Sequence, residues 1–320
     1  MSTDSLAAPA RTAIEQCLNL GAEETLVIVT DDARLPIGQA LYEVATELGA
    51  DVTMLRSPPG DQHGAEPPAA VAAAMQAADA FLAPTTKSIS HTRARTDATE
   101  AGARGATLPG ITDRVFRTGL AADYEAIART SAALYEQVVD AEELRVQTPA
   151  GTDITVTPGE RSWLTDTGEI QQPEAFGNLP AGEIFIAPED ASGRYVVDGT
   201  ISPHGLLGPD QTVAIEVTDG RVTAIDDPVF REEVEAAAEQ GGPGAYNLAE
   251  LGIGTNTGVG ELVGSVLLDE KAAGTVHIAI GDNVGLGGET DAAIHADGVL
   301  REPTVTVDGT PLALPRPAVD

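Results

Sequence analysis

The chain has 320 residues, in which 50 acidic side chains against 18 basic ones give a formal net charge of −32. This charge disfavours binding to nucleic acid or to an anionic membrane surface, and no apolar run reaches the roughly 18 residues that a membrane-spanning helix needs. Cys17 is the only cysteine, which excludes an internal disulfide and a cysteine-based metal site.

The acidic residues are spread along the whole chain, and Lys87 and Lys271 are its only lysines. A self-repelling surface of this kind is tolerated when molar salt shortens the Debye length to about 3 Å. We therefore expect a halophilic, haloarchaeal source. We also expect a cytoplasmic protein, because MSTDSLAAPARTA lacks the basic start and apolar run of a signal peptide. An acidic surface that binds a basic protein is the alternative interpretation.

The first part of the chain alternates helices with short apolar strands. The sequence predicts helices over 12–24, 36–48 and 71–80, and strands over 25–32, 51–55 and 80–84. This alternation is typical of a right-handed parallel α/β layer. The first strand is followed by TDDARLPIG and not by a glycine-rich phosphate loop, which argues against dinucleotide binding.

The pattern changes after a long acidic helix predicted over 121–142. Strand pairs around short turns follow, namely LRVQT with TDITVTP, TVAIEV with RVTAID, and TVTV with TPLAL, with one helix over 228–240. We therefore predict two domains. Residues 1–142 form a parallel α/β domain, and residues 143–320 form an antiparallel, β-rich α+β domain.

Two of the five histidines lie in apolar strands of the second domain. His277 lies in GTVHIAIGDN and His295 in AAIHADGVL. Because residues i and i+2 of a strand project from the same face, His295 and Asp297 can converge on one ion. Imidazole and carboxylate are the ligands expected for Zn, Co, Mn or Fe(II). A hydrogen-bonded core histidine is the alternative at each position.

Two glutamates add to the metal hypothesis. Glu183 enters the apolar strand EIFIA, and Glu250 lies between NLA and a glycine-rich turn. An ionised carboxylate is costly to bury without a partner, and a neighbouring cation would supply one. A partly exposed strand end is the alternative for each glutamate.

The ordered motifs NLPAGE, AELGIGTN, GTVHIAIG and HAD, together with SISHTRARTDATEAGARGATLPGIT, resemble the M29 family of metallo-aminopeptidases. The resemblance implies a two-domain, homodimeric enzyme that acts on small peptides and holds two divalent ions of Zn, Co or Mn. It implies that the β-rich domain carries the metal site. The implied metal ligands are Glu183, Glu250, His277, His295 and Asp297.

Two departures bear on the predicted peptidase reaction. The family's peptidases carry a tyrosine soon after the first histidine, whereas GDNVGLGGETD holds none, and the segment from His277 to His295 is short. A second branch of the superfamily resembles ring-cleaving 2,5-dihydroxypyridine dioxygenases, in which two histidines and one carboxylate hold a single Fe(II). His277, His295 and Asp297 satisfy that pattern. A metal-stabilised binding protein without catalysis is the third interpretation.

The remaining candidates concern substrate and protons. We predict that His91 and Arg93 bind substrate, because arginine suits carboxylate groups; a helix start is the alternative. His204 and Asp282 are the candidates for proton transfer, although the sequence identifies no general base. For His204, a substrate contact or an ordinary loop residue is the alternative. The sequence has no G-x-S-x-G motif and no histidine close to Cys17. It therefore gives little support to nucleophilic catalysis by serine or cysteine.

Overall fold

The computed structural model describes residues 6–317. The chain divides into two units, of which the first comprises Met1–Ala128 and Asp166–Ala181 and the second comprises Arg129–Thr165 and Gly182–Asp320. The chain thus returns once to the first unit, whereas the sequence predicted one boundary near residue 142. The return has a simple cause, since strand β8 (Phe176–Asn178) pairs in parallel with strand β4 (Arg104–Pro109) of the first unit.

The first unit contains a five-stranded sheet in which all pairs are parallel, in the order β2-β1-β3-β4-β8. The remaining strands of this sheet are β1 (Thr25–Thr30), β2 (Asp51–Arg56) and β3 (Ala80–Thr85). The helices of this part of the chain are α1 (Ala7–Arg11), continued by π-helical turns over Thr12–Cys17, α2 (Leu35–Leu48), α3 (Ala69–Gln76), α4 (Arg93–Glu100), α5 (Asp113–Gly119) and α6 (Tyr124–Val138). The predicted parallel α/β layer is confirmed.

The predicted helix over 12–24 differs from the observed one. The helical segment starts earlier, at Ala7, and ends at Cys17. Asn19 takes a left-handed conformation with φ of 47°, which an α-helix does not accommodate. The buried Arg104 guanidinium then donates to the carbonyls of Leu18 and Asn19, so these groups find a partner outside the helix.

The second unit contains two seven-stranded, antiparallel sheets, as the alternating patterns predicted. The first sheet, in the order β14-β13-β10-β6-β5-β18-β19, comprises β5 (Leu144–Gln147), β6 (Asp153–Thr157), β10 (Asp190–Val197), β13 (Val213–Thr218), β14 (Arg221–Ile225), β18 (Thr304–Val307) and β19 (Thr310–Pro311). Helix α7 (Pro228–Gly241) and the short α8 (Val266–Asp269) accompany the sheets.

The other sheet, here called the site sheet, runs in the order β12-β11-β17-β16-β15-β9-β7. It comprises β7 (Leu164–Asp166), β9 (Glu183–Ile186), β11 (Thr200–Ile201), β12 (Gly205–Leu206), β15 (Leu248–Gly254), β16 (Val276–Gly281) and β17 (His295–Leu300). Residues of both sheets, such as Ile154, Ile215, Leu251 and Ile278, share one buried apolar cluster. Side chains alternate along a strand. The residues next to Leu251 and Ile278 in their strands therefore face away from this core.

None of the helices within residues 6–317 is long and apolar enough to cross a membrane.

Candidate metal centre

Four neighbouring strands of the site sheet, β17-β16-β15-β9, place the five predicted ligands on one face. Ala279 of β16 pairs with Glu250 on one side and Asp297 on the other. His277 lies two residues before Ala279 and His295 two residues before Asp297, so the period of two brings them to the same face. Glu183 joins this face through its pairing with Gly254 of β15, four residues after Glu250.

The small residues of these strands make room for the large polar ones. Gly252 pairs with His277 across β15 and β16, and a Cβ built on Gly252 would lie 2.0 Å from Nε2 of that histidine. Any other residue at this position would therefore displace the imidazole. The glycine-rich sequence ELGIG in β15 is explained by this close approach.

The five side chains form a connected cluster, here called the carboxylate–histidine cluster. Glu250 bridges the two imidazoles, with Oε1 at 3.3 Å from His277 Nε2 and Oε2 at 3.2 Å from His295 Nε2. Asp297 Oδ1 lies 3.5 Å from His295 Nε2, and Glu183 Oε2 lies 3.5 Å from His277 Nε2. The structure thus brings together all five residues that the sequence analysis selected.

Backbone carbonyls fix the tautomer of both histidines. Nδ1 of His277 lies 3.1 Å from the carbonyl oxygen of Glu270, and Nδ1 of His295 lies 2.7 Å from that of Asp282. A carbonyl oxygen only accepts, so each Nδ1 carries a hydrogen and donates it. In the neutral ring, Nε2 is then a lone-pair donor that faces the carboxylates, which is the arrangement that metal-binding histidines use.

The electrostatics of the cluster favour positive charge at both rings. Burial opposes the charged form of His277, but the hydrogen bond and charge of Glu250, with the charges of Glu183 and Asp297, outweigh it and raise its pKa to about 9. The same balance of burial against Asp297 and Glu250 raises the pKa of His295 to about 12. A cation between these groups is therefore stabilised, whether it is a proton or a metal ion.

Two charged residues that the sequence analysis missed lie beside the cluster. The Lys271 ammonium is 3.0 Å from Glu183 Oε1 and 2.5 Å from Glu270 Oε1. Both residues precede β16 in the segment LLDEKAAGTV. The only signal in the sequence was the adjacent pair Glu270 and Lys271, a few residues before the fully buried strand β16. Adjacent residues do not follow a strand or helix period, so the pattern did not place them on the face that holds the site.

The donor set fits one divalent ion. Ligand atoms of Glu250, His277 and Asp297 all lie within 4.8 Å of one another. Glu183 Oε2 is buried and has no hydrogen-bond partner within residues 6–317, and such an atom is costly unless a cation is near it. Nitrogen and carboxylate oxygen without thiolate are the ligands of Fe(II), Mn, Co and Zn sites.

The other predicted residues are not members of the carboxylate–histidine cluster. His91 and Arg93 are exposed at the start of α4 in the first unit. His204 is exposed, and its Nε2 lies 2.9 Å from Oδ1 of Asp227, the residue that caps α7. The Asp282 carboxylate accepts from the Ala292 backbone, while its carbonyl orients His295. Their roles in substrate binding and proton transfer stay predictions.

The fold of this chain has matches among solved structures. The fold matches the structure of wild-type AmpT from Thermus thermophilus with a TM-score of 0.71 and 20% identity, over 99% of each chain. It also matches the structure of a 2,5-dihydroxypyridine dioxygenase from Pseudomonas putida KT2440 with a TM-score of 0.79 and 20% identity, over 100% of this chain and 98% of the other.

The sequence itself decides the family. Residues 5–314 match the family model NicX, 2,5-dihydroxypyridine 5,6-dioxygenase, and the chain belongs to this family. None of the curated proteins matches the sequence. The resemblance to the M29 family is therefore supported at the level of fold, and the family and the structural neighbours are those of an enzyme.

Proposed function

We propose that this chain is a mononuclear, Fe(II)-dependent dioxygenase that opens the ring of a small hydroxylated pyridine. The observation that carries the proposal is the compact donor set of Glu250, His277 and Asp297, which His295 joins through its contacts with Glu250 and Asp297. Two imidazole Nε2 atoms share the carboxylate of Glu250, and Asp297 lies against one of them. Two histidines and a carboxylate are the ligand set of non-haem Fe(II) oxygenases. The family match supports the same assignment.

Each residue of the set has a distinct task in the proposed centre. His277 and His295 would supply neutral nitrogen ligands, and Asp297 and Glu250 would balance the charge of the ion. The carbonyls of Glu270 and Asp282 hold the two rings in orientation. When bound, Fe(II) supplies the redox chemistry that lets molecular oxygen react with an electron-rich ring.

We assign Glu183 Oε2 as the atom that accepts the proton of the substrate hydroxyl. It is buried without a hydrogen-bond partner within residues 6–317, and it lies 3.5 Å from His277 Nε2. A carboxylate oxygen in that position can accept the proton that a hydroxypyridine loses when it binds next to a cation. Removal of this proton makes the ring more electron-rich.

A metal-dependent aminopeptidase that acts on small peptides is the second candidate. The likeness to AmpT favours it, as do the extra carboxylates of Glu183 and Glu270 beside the ligand set. In that reaction, a metal-activated water would attack the peptide carbonyl. The absence of tyrosine between His277 and His295 in the sequence argues for the dioxygenase.

Oxygen uptake separates the two candidates. Protein loaded anaerobically with Fe(II) in high salt should consume O2 when 2,5-dihydroxypyridine is added, with one O2 for each ring opened because both oxygen atoms enter the product. His277→Ala should abolish uptake. His63→Ala, which changes an exposed histidine of the first unit, should leave it unchanged. Release of nitroaniline from an aminoacyl-p-nitroanilide by the Zn- or Co-loaded protein, without O2 uptake, would establish the peptidase instead.

A further inference from the structure

Lys271 is a buried cation that the proposed reaction does not yet use. Its side chain is 3% exposed, and it is one of only two lysines in the chain. The ammonium lies between Glu183 Oε1, at 3.0 Å, and Glu270 Oε1, at 2.5 Å. Because a buried lysine is stable in its charged form only with close partners, this ammonium is held in a defined place beside the cluster.

The backbone around Lys271 is built to hold that place. Its carbonyl accepts from the Asn256 amide, and its own amide donates to the Leu268 carbonyl. The segment lies directly on Gly254, since a Cβ built there would be 2.1 Å from the carbonyl oxygen of Ala272. Gly254 is also the ladder partner of Glu183. The close approach at this glycine therefore brings the lysine and Glu183 together.

The two carboxylate oxygens of Glu183 contact different residues of the cluster and its surroundings. Oε1 contacts the ammonium at 3.0 Å, whereas Oε2 points toward His277 at 3.5 Å. A second divalent ion on the Glu183–Glu270 side would need Oε1 and would be placed next to a fixed positive charge, which repels it. One cation position in the cluster is thus already filled by the protein itself.

We propose that the Lys271 ammonium takes the place of a second metal ion and limits the centre to one ion per chain. The inference rests on the proposed metal centre and names the residue that sets its stoichiometry. The ammonium neutralises Glu183 and Glu270 on one side, and the single ion lies among Glu250, the two histidines and Asp297. Lys271 is thus a positioning residue, because it acts through Glu183.

Metal counting tests the inference without reference to activity. Wild-type protein, loaded separately with excess Fe(II) under anaerobic conditions and with Zn(II) and then desalted in high salt, should hold one ion per chain by elemental analysis. Lys271→Met removes the charge at similar length, and its count should rise to two because the two glutamates are released. Lys87→Met, at the other lysine, should keep one. A wild-type count of two, or a folded Lys271→Met variant that still holds one, would overturn the inference.

Lys271→Gln provides the second test if Lys271→Met does not fold, because it removes the charge but keeps a side chain that can hydrogen-bond to Glu183 and Glu270. Its count should also rise to two ions per chain, and a folded Lys271→Gln variant that holds one would overturn the inference. Failure of the inference is distinguishable from failure of the proposed function. Two ions together with ring cleavage would refute only the role of Lys271, and one ion without ring cleavage would refute only the dioxygenase.

Discussion

At the scale of single residues, the candidate centre depends on where each imidazole hydrogen points. The carbonyls of Glu270 and Asp282 receive the Nδ1 hydrogens of His277 and His295. Both Nε2 atoms are thereby directed at the carboxylates before any ion is bound. Such preorganisation lowers the cost of assembling a metal site. Gly252 is as necessary as the ring of His277, because it leaves the space in which that ring is held.

Gly252→Ala should disrupt the centre while the sheet still forms. The added methyl group would lie 2.0 Å from His277 Nε2, so the ring must move, and overpacking of this kind costs about 1–3 kcal/mol of stability. We expect a lower unfolding midpoint in denaturant and a large loss of bound metal by elemental analysis. Gly260→Ala is the matched control, since its Cβ would meet nothing within 4 Å. Normal metal content in Gly252→Ala would contradict the account of the site.

The candidate site was predictable at this scale because its residues carry local signals. A glutamate that enters EIFIA and a histidine within VHIAIG are polar exceptions in buried strands. Lys271 gave no such signal. It lies between α8 and β16, and its position against Glu183 depends on a contact between segments far apart in the sequence.

At the scale of elements, alternation in the sequence reports which face of a strand is buried. Leu251 and Ile278 belong to the apolar cluster, while their neighbours Glu250 and His277 take the other face. The same reasoning predicted the parallel strands of the first unit, whose apolar runs in β1 and β3 are buried almost throughout. Helix ends were less predictable, because the end of the first helical segment depends on Arg104, which is remote in sequence.

Arg104→Met should destabilise the first unit. Its guanidinium donates to the carbonyls of Leu18 and Asn19 and makes a double hydrogen bond with Glu24. Loss of the partner of the buried Leu18 carbonyl costs about 1–3 kcal/mol. We expect a lower free energy of unfolding in denaturant at neutral pH. Arg145→Met removes an arginine from an exposed pair with Asp153 and should change stability little.

The ion pair of Arg104 with Glu24 predicts how the stability difference between wild type and Arg104→Met depends on pH. The hydrogen bond from Arg104 lowers the pKa of Glu24 below its ordinary value of 4.5. A carboxyl group with a lowered folded-state pKa contributes stability that is present above the unfolded pKa and lost as the pH falls through the folded one. The stability gap between wild type and Arg104→Met should therefore narrow in acid below pH 4.5. A gap that widens there would contradict this assignment.

At the scale of the whole molecule, charge is the dominant feature. The net charge of −32 is spread over 320 residues, so the folded chain repels itself wherever salt does not screen it. The Debye length falls from about 10 Å at 0.1 M salt to about 3 Å at 1 M. The haloarchaeal source remains our proposal for the origin of this composition.

Thermal stability should therefore rise strongly with potassium chloride. We expect the melting temperature of the metal-free protein to increase steadily from low to molar salt, because screening weakens repulsion among the carboxylates. Sucrose of equal osmolality is the control, since it does not screen charge. A melting temperature that rises equally in both solutions, or in neither, would show that the acidic surface does not govern stability.

The parallel sheet has a further consequence for how the chain must be made. Its edge strand β8 comes from Phe176–Asn178, after the chain has already begun the second unit with β5 and β6. During synthesis, β4 therefore has no partner on that side until residue 178 has left the ribosome. A gene fragment cut at residue 142 would leave this edge open for good, and open strand edges promote aggregation. Expression of a separate N-terminal half should therefore give insoluble protein.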